Sequence, residues 1–298
     1  MAMKGTMAGR VCVVTGATSG IGFVTARELA RAGASVAVVG RDPRRTSDRV
    51  AQIIAETENP LVKGFVADLF VQGEVRRLAS EILAEYPQVH VLVNDAGAVL
   101  SKRVLSPEGI ECTWALNVVT PFLLTHLLLP RLQPSAPSRV VNVASAAHRG
   151  VRLDFDNLQG EHRYSGYGAY GRSKLAVVLL TYEFARRLSG TGVTVNTLHP
   201  GFVATRFGQN NPGFFGAGIR VVEFLFAIRP ERGARTSIFL ASDPTVRAVT
   251  GKYFDRRRIV ASSPESYNAA AGARLWDVLS LQTGIPVDTL SKVAPAAP

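Results

Sequence analysis

The sequence predicts a single α/β domain: a doubly wound parallel sheet of about seven strands with helices on both faces. Apolar strand-like runs alternate with helical patterns along the chain, which is typical of parallel α/β folds. The runs are continuous stretches of Val, Leu and Ala, as expected for strands that helices cover on both sides. No internal repeat or linker interrupts the 298 residues, so one domain accounts for the length.

The elements follow from these runs in chain order. Strands are predicted at residues 10–15, 35–39, 62–66, 89–94, 139–144 and 193–198, with a short one near Tyr253. Helices are predicted at 20–31, 43–56 and 71–85, in two stretches around 107–133, and at 169–188, 231–241 and 265–281. The domain is expected to span residues 8–286, and the Pro/Ala-rich residues 287–298 to form a flexible tail.

The composition indicates an ordered globular protein, with 47% hydrophobic and 19% charged residues. Two cysteines, Cys12 and Cys112, are too few for a disulfide framework, and both lie in apolar runs where reduced core thiols are expected. The first ten residues lack the apolar centre of a secretory signal. We therefore expect a cytoplasmic protein.

Residues 112–130 contain no Asp, Glu, Lys or Arg and approach the length of a membrane helix. Polar residues, among them Asn117 and His126, interrupt the stretch, so we predict a helix buried on nearly all sides and no transmembrane segment. The uncharged face of this helix and the apolar face of 170–188 look too extensive to remain in water. A homodimer or homotetramer is therefore expected.

The formal net charge of +11 raises the question of an anionic partner. The 34 basic residues are spread along the chain, and only residues 41–49 and 256–258 are dense in arginine. No zinc-ligand spacing or aromatic-plus-basic signature accompanies them. The charge therefore indicates general solubility with a bias towards phosphate-bearing ligands, and no nucleic acid partner is expected.

A glycine-rich loop, residues 15–22, lies where the first strand becomes the first helix. Gly16 permits the tight turn, Gly20 lets the backbone approach a pyrophosphate, and Gly22 lets the helix pack closely on the strand. The helix N-terminus then offers free N–H groups to the phosphates. The loop residues expected to bind a dinucleotide cofactor are Gly16, Thr18, Ser19, Gly20, Ile21 and Gly22.

Tyr170 and Lys174 lie four residues apart in a strongly helical run, so the phenol and the ammonium group can reach one space. Lowering the pKa of a phenol from ~10 to about 7 requires about 4 kcal/mol of stabilisation of the phenolate. A neighbouring cation supplies a shift of this kind, and the pair is then suited to proton transfer. The alternative is a surface tyrosine and lysine at a common helical spacing.

The end of the second predicted strand indicates which dinucleotide binds. An acid at this position binds the ribose 2′-hydroxyl of NAD, whereas an arginine accepts the 2′-phosphate of NADP. Here the strand ends at Arg41, with Arg44 and Arg45 close behind. Asp42 follows, but before Pro43 it is expected to cap the next helix. NADP(H) is therefore the predicted cofactor, with Arg41 against its 2′-phosphate.

These motifs, in this order, resemble those of the short-chain dehydrogenase/reductase superfamily, whose fold is of the Rossmann type. The resemblance covers nearly the whole chain. Asn94-Asp95-Ala96-Gly97 resembles the NNAG element of the family, and Asn117, Ser145, Tyr170 and Lys174 resemble its catalytic tetrad. The resemblance implies that Asp68 and Leu69 contact the adenine of the cofactor. It also implies cofactor contacts near the nicotinamide carboxamide by Pro200, Gly201, Val203 and Thr205. The other implied cofactor contacts are Asn94, Ala96, Gly97, Tyr170 and Lys174.

The tetrad implies hydride transfer between a nicotinamide and a carbonyl carbon. Tyr170 would donate or remove the proton, and Lys174 would hold the phenolate form and bind the nicotinamide ribose. Ser145 would hydrogen-bond the substrate oxygen, and Asn117 would place a water that relays protons to Lys174. The alternatives are that Ser145 caps a loop, that Asn117 is a satisfied core amide and that Asp68 is a helix cap.

Two departures from the family pattern stand out. Asp95 replaces the second Asn of NNAG, and Tyr170 follows Ser145 by 25 residues, a longer gap than is usual. The inserted stretch 154–166 is similar to that of the retinol-dehydrogenase-like branch, whose members act on lipophilic alcohols and carbonyls with NADP(H). The phenylalanines that follow the sixth strand suit an apolar pocket, or equally an aromatic core: Phe202, Phe207, Phe214, Phe215, Phe224 and Phe226.

The leading hypothesis is an NADP(H)-dependent oxidoreductase that interconverts a hydroxyl and a carbonyl on a lipophilic small molecule. One alternative keeps the fold but changes the chemistry to C=C reduction, cyclisation or rearrangement of a natural product. Another is a non-catalytic NADP-sensing protein, although a sensor has no need of Tyr170 and Lys174 together. His148 and His199 are interpreted as structural or substrate-lining, since the tyrosine and the lysine account for the proton chemistry.

Overall fold

The computed structural model of the protein describes residues 5–201 and 229–290. Its eight strands form one sheet in the order β3-β2-β1-β4-β5-β6-β7-β8. The strands are β1 (Val11–Thr15), β2 (Ser35–Gly40), β3 (Val62–Val66), β4 (Val91–Asn94), β5 (Ser138–Val143), β6 (Val193–His199), β7 (Tyr253–Asp255) and β8 (Arg258–Ile259). All neighbours pair in parallel except β7 and β8. The strand order reverses between β1 and β4, and such sheets bind ligands at the carboxyl ends of the strands there.

Seven helices of the described chain flank the sheet. They are α1 (Gly20–Arg31), α2 (Pro43–Thr57), α3 (Gln72–Glu85), α4 (Cys112–Leu132), α5 (Gly166–Arg187), α6 (Pro230–Ser242) and α7 (Ala269–Thr283). Local chemistry sets several of their ends. Asp42 caps α2 ahead of Pro43, Ser165 caps α5, and Asn268 caps α7, which ends at Gly284 in the left-handed conformation.

The predicted α/β class and the order of the elements are confirmed, and the strand count is eight rather than about seven. The additional strand, β8, pairs with β7 through a hairpin whose turn residues, Arg256 and Arg257, both have positive φ. Turns of this kind normally carry Gly or Asn. Two arginines in the turn do not indicate a hairpin, so the sequence does not predict β8.

Helix α4 is one helix rather than the two stretches predicted around 107–133. Glu111 sets its start, since the carboxylate accepts the N–H groups of Thr113 and Trp114, each at 2.8 Å. A π-helical turn, Ala115–Val119, then interrupts the α-helical pattern. Such turns are frequent at functional sites, and this one contains Asn117.

The apolar faces of α4 and α5 are covered within the single chain. Helix α4 is long and apolar enough to cross a membrane, but 89% of its most apolar window is buried in the protein, so it is a core helix. Trp276 of α7 is fully buried and packs edge-on against Phe122 of α4 and Phe184 of α5, at ring-centroid distances of 5.0 and 4.8 Å. Helix α7 thus packs on the apolar faces of α4 and α5 from which the homodimer or homotetramer was predicted. The oligomeric state stays a prediction.

The chain continues past the predicted domain end into a short 3₁₀ turn, Val287–Leu290. Leu290 is buried, and the Val287 carbonyl accepts hydrogen bonds from Trp276 Nε1 and Arg187 Nη1. These four residues therefore belong to the folded domain, although the sequence placed them in the flexible tail. Residues 291–298 lie outside the described part of the chain.

His126 makes the core between α4, α5 and α7 sensitive to pH. Its ring packs among Phe122, Phe184 and Trp276, its Nδ1 lies 2.8 Å from the Phe122 carbonyl, and Nε2 has no partner among the described residues. Burial lowers the pKa of His126 from 6.5 to about 4. The unfolded chain therefore binds a proton at a higher pH than the folded chain does, so stability falls as the pH drops from about 6.5 towards 4.

We expect this single histidine to lower the free energy of unfolding by about 3 kcal/mol across that range. Urea unfolding at pH 7 and pH 4.5 measures the loss, which should be smaller in His126→Leu. His162→Gln, at an exposed histidine, is the control and should keep the wild-type dependence. Equal pH dependence in His126→Leu and the wild type would contradict the prediction.

Candidate active site

The glycine loop has the geometry of a dinucleotide site. Gly16 and Gly20 have positive φ, 67° and 55°, and a Cβ on Gly16 would lie 3.0 Å from the backbone of Ala96. A Cβ on Gly22 would lie 2.6 Å from the Gly16 carbonyl. Ser19 makes no side-chain cap and the first turn of α1 holds no acid of its own. The Gly22 N–H donates to Asp95, so the other N–H groups at this helix N-terminus are suited to bind a phosphate. The residues present therefore fit a dinucleotide cofactor.

The segment after β4, Asn94–Gly97, packs directly against this loop. The Thr15 hydroxyl accepts the N–H groups of Asp95 and Ala96, at 3.0 and 3.1 Å. Asn94 Nδ2 donates to Asn142 Oδ1 on β5 at 2.8 Å. These bonds hold the segment at the carboxyl end of the sheet beside the glycine loop. It contains three of the predicted cofactor contacts, Asn94, Ala96 and Gly97.

Ser145 and Tyr170 meet at the same edge of the sheet. Ser145 follows β5, and its Oγ accepts the Ala147 N–H at 3.2 Å, so the predicted loop cap is present. The same hydroxyl also hydrogen-bonds Tyr170. Ser145 therefore caps the loop and also contacts Tyr170, so the structural and the catalytic interpretations of this residue are compatible.

Burial raises the pKa of Tyr170 to about 12, and the Ser145 hydrogen bond opposes this only in part. Lys174 Nζ lies 5.6 Å from the centre of the Tyr170 ring and donates to the Val143 carbonyl at 2.8 Å. The predicted lowering of the phenol pKa by Lys174 is therefore wrong, because burial outweighs it and Lys174 is not among the groups that shift this pKa. The phenol is neutral at physiological pH, which is the form that donates a proton.

Lys174 is buried, with 4% of its surface exposed. Burial lowers its pKa to about 8, while the charge of Asp95 acts in the opposite direction. The lysine is therefore a cation held inside the protein, and both the Val143 carbonyl and Asp95 favour that charge.

Asn117 lies in the π-helical turn of α4 and is almost completely buried. Its Oδ1 accepts the Ala98 N–H at 2.9 Å, and its Nδ2 donates to the Ala98 carbonyl at 3.0 Å and to Ser173 Oγ at 2.9 Å. A Cβ on Gly97 would lie 3.3 Å from Asn117 Oδ1 and 3.5 Å from Lys174 Nζ. The amide thus holds the chain beside the lysine, and its predicted water relay stays a prediction.

The predicted adenine end is assembled at β2 and β3. Asp42 accepts the Arg45 N–H at 2.7 Å, so its predicted role as a helix cap is confirmed. Arg41 is exposed, and its guanidinium lies 5.9 Å from the centre of the Phe70 ring. Asp68 does not cap α3. Its Oδ1 accepts the Phe70 N–H at 3.2 Å and its carbonyl accepts the Val71 N–H.

Leu69, the other predicted adenine contact, is buried, and its carbonyl accepts the Thr120 hydroxyl of α4 at 2.6 Å. Pro200 and Gly201 follow β6 at the same edge of the sheet, and Gly201 has a φ of 86°. The remaining predicted positions lie outside the described residues. They are Val203, Thr205 and the phenylalanines at 202, 207, 214, 215, 224 and 226.

His148 has a structural role, as one interpretation of the sequence held. It is fully buried, Nδ1 lies 2.6 Å from the Ser145 carbonyl, and Nε2 accepts the Ser263 N–H at 3.1 Å. A ring whose Nε2 accepts an N–H while Nδ1 faces a carbonyl has both nitrogens in use, and burial lowers the pKa of His148. His199 Nδ1 accepts the Ala146 N–H at 3.2 Å and thereby positions the loop that begins at Ser145.

Sequence reasoning missed several residues that build the site. Thr15 was counted only as the start of the loop, yet its hydroxyl joins β1 to the segment after β4. Arg49 donates to the Thr18 carbonyl at 3.2 Å. Tyr164, in the insertion, donates to Glu111 Oε1 at 3.1 Å. All three contacts join residues distant in sequence, so no local pattern predicts them.

Comparisons with known proteins agree with this geometry. Residues 10–212 match the short chain dehydrogenase family. The chain is 38% identical to mouse retinol dehydrogenase 13, over 92% of this chain and 83% of that protein. It is 39% identical to human retinol dehydrogenase 11, over 94% and 87%.

Two solved structures share the fold. A protein from Mycobacterium paratuberculosis superposes with a TM-score of 0.76 at 30% identity, over 95% of this chain and 98% of that one. The NADP complex of RhlG from Pseudomonas aeruginosa superposes with a TM-score of 0.67 at 29% identity, over 85% and 96%. The chain therefore belongs to the short-chain dehydrogenase family, is an oxidoreductase with a nicotinamide cofactor, and is similar to the retinol dehydrogenases.

Proposed function

We propose that the protein interconverts a hydroxyl and a carbonyl on a lipophilic small molecule with NADP(H), through Tyr170, Ser145, Lys174 and Asn117. One observation carries the proposal: a neutral, half-buried phenol hydrogen-bonded to Ser145 lies beside a buried lysine, next to a loop that fits a dinucleotide. The cofactor, when bound, supplies or accepts the hydride.

The two hydroxyls perform the proton chemistry in this proposal. Ser145 Oγ hydrogen-bonds the substrate oxygen and orients it towards Tyr170. Tyr170 then donates its phenolic proton to that oxygen in the reductive direction and removes a proton in the oxidative direction. The hydrogen bond between Ser145 and Tyr170 brings the two groups close enough to bind one oxygen.

Lys174 and Asn117 maintain the arrangement. The ammonium group stabilises negative charge that develops on Tyr170 when the phenol gives up its proton. Asn117 fixes the backbone at Ala98, so that Gly97 stays beside Lys174 Nζ. A loose Gly97 would displace the groups that meet the cofactor, and small misplacements at reacting centres are costly in rate.

A lipophilic substrate is supported by the similarity to the retinol dehydrogenases. Turnover assays with NADPH and NADP⁺ against retinoids, steroids, aldehydes and polycyclic ketones test the proposal. We expect NADPH-dependent reduction of an apolar carbonyl in this panel. Tight NADPH binding without turnover of any carbonyl or alcohol would favour the sensing or tailoring alternatives.

Arg41→Ala is expected to remove most of a preference for NADPH over NADH. Arg41 is exposed at the end of β2, and the neighbouring acid, Asp42, is engaged as a helix cap. One charge-assisted hydrogen bond contributes roughly 1.5–3 kcal/mol, so NADPH should bind about 10- to 100-fold more tightly than NADH.

Fluorescence titration of both cofactors measures this preference. NADH affinity is the internal control and should change little in Arg41→Ala, because only the 2′-phosphate contact is lost. Equal affinities of the unmodified protein for NADH and NADPH would show that Arg41 is a solvated surface residue.

A further inference from the structure

The turn that follows Ser145 ends at His148, whose ring is bonded on two sides. The ring is fully buried and packs against Tyr253 of β7, with ring centroids 4.9 Å apart. Its Nε2 accepts the Ser263 N–H at 3.1 Å, so this nitrogen carries no proton. The proton of the neutral ring is therefore on Nδ1, which donates to the Ser145 carbonyl at 2.6 Å.

The ring therefore links the candidate active site to residues 261–263, which follow β8 and which we call the anchor segment. This segment makes two further bonds. The Arg149 guanidinium donates to the Ala261 carbonyl at 2.7 Å. The Ser262 hydroxyl bonds the Tyr182 hydroxyl of α5, also at 2.7 Å. The anchor segment is thus fixed both to the turn after β5 and to the helix that carries the phenol.

The other side of the turn packs against α5 next to Tyr170. Gly171 follows the tyrosine directly, and a Cβ on Gly171 would lie 3.0 Å from the Ala147 carbonyl. The Ser145 hydroxyl accepts the Ala147 N–H at 3.2 Å and hydrogen-bonds Tyr170. The position of this turn therefore sets the distance between the two hydroxyls that are proposed to act on one substrate oxygen.

We propose that His148 is a positioning residue that acts through Ser145: its ring ties the serine carbonyl to the Ser263 N–H and so holds the serine hydroxyl against the phenol. The inference rests on the proposed function and extends it, because the tetrad gives His148 no part in the reaction. A misplacement of about 1 Å at a reacting centre can lower a rate by on the order of 100-fold. A turn released from the anchor segment would allow such a displacement.

The first experiment needs neither substrate nor turnover. In ¹⁵N-labelled wild-type protein at about pH 7, NMR reports which ring nitrogen of a histidine carries the proton. We expect His148, assigned by the loss of its signals in His148→Gln, to be neutral with the proton on Nδ1. We also expect scalar coupling between its Nε2 and the Ser263 amide nitrogen. A ring protonated on Nε2 could not accept the Ser263 N–H and would overturn the proposal.

Three variants separate the bonds of His148 from its volume. His148→Phe keeps an aromatic ring and loses both bonds. His148→Asn offers an amide near the position of Nδ1, and His148→Gln offers one near Nε2, but neither joins Ser145 to Ser263. On a verified substrate we expect kcat to fall about 10- to 100-fold in all three, with KM for NADPH nearly unchanged. Wild-type kcat in a folded Asn or Gln variant would overturn the proposal.

His90→Phe is the matched control. His90 is also buried, and its Nδ1 accepts the Val11 N–H at 3.0 Å, but this bond lies at the amino end of the sheet. The control should lower the free energy of unfolding and leave kcat close to wild type. A fall in kcat equal to that of His148→Phe would show that the loss of any such buried bond lowers kcat, which would also overturn the proposal.

A double-mutant cycle tests whether His148 acts through Ser145. His148→Phe should lower the single-turnover rate about 10- to 100-fold in the wild type but by less than about two-fold in Ser145→Ala, because the positioned hydroxyl is already gone. Equal losses in both backgrounds would overturn the proposal, since the ring would then act on something else. Failure of the proposed function is distinguishable, because Ser145→Ala and Tyr170→Phe would then leave turnover unchanged.

Discussion

Tyr170→Phe is expected to lower turnover by on the order of 100-fold or more while NADPH binding stays nearly unchanged. The phenol gives its proton only during the reaction, whereas the glycine loop and Lys174 are expected to hold the cofactor. Phenylalanine fills the same space, so the packing of α5 is kept. Single-turnover rates on a verified substrate and NADPH fluorescence titrations measure the two quantities.

Tyr182→Phe is the matched control, because it removes a hydroxyl from the same helix. The Tyr182 hydroxyl bonds Ser262 Oγ at 2.7 Å, away from the candidate site, and turnover should stay close to wild type. Turnover of Tyr170→Phe within a few-fold of the unmodified protein would refute the assignment of the phenol as proton donor.

Gly22→Ala is expected to have the second largest effect. The added methyl group would lie 2.6 Å from the Gly16 carbonyl and 2.7 Å from Asp95 Oδ2, closer than real Cβ atoms come. Both obstacles belong to the cofactor site, so the turn must shift to relieve them. We expect the free energy of unfolding to fall by about 1–3 kcal/mol and NADPH affinity to fall about 10- to 100-fold as phosphate contacts are lost.

Gly73→Ala offers a matched substitution in helix α3, where a Cβ would meet nothing within 4 Å. It should leave NADPH affinity unchanged and raise stability slightly, by about 0.4–1 kcal/mol. Urea unfolding and cofactor titration distinguish the two variants. If Gly22→Ala bound NADPH as tightly as Gly73→Ala, the loop would not approach the phosphates as proposed.

The fold was largely predictable because its strands are buried on both faces. A strand such as β2 has only apolar residues and a terminal glycine after Ser35, and no other local structure suits that pattern. The π-helical turn at Asn117 and the hairpin at Arg256 were not predictable. The first depends on the bonds of Asn117 to Ala98 and Ser173, and the second has two arginines where Gly or Asn is usual, so neither leaves a periodic or glycine signal in the sequence.

The membership of the candidate site was predictable, but its electrostatics were not. The four-residue spacing of Tyr170 and Lys174 indicates that they share a helix face, and they do. The pKa of the phenol depends instead on how far burial outweighs the nearby charge, and only the packed structure decides this. The hydrogen bond from the Gly22 N–H to Asp95 joins two segments far apart in sequence, and no local pattern predicts it.

The position of α7 has a consequence for how the polypeptide is made. Helices α4 and α5 are synthesised first, yet Phe122 and Phe184 are covered only when Trp276 arrives from α7. A nascent chain that ends before α7 therefore lacks the ring that covers this aromatic face. Exposed faces of this kind make nascent chains prone to aggregation and to binding by chaperones. Packing of α7 on α4 and α5 is therefore the step that protects this face from aggregation.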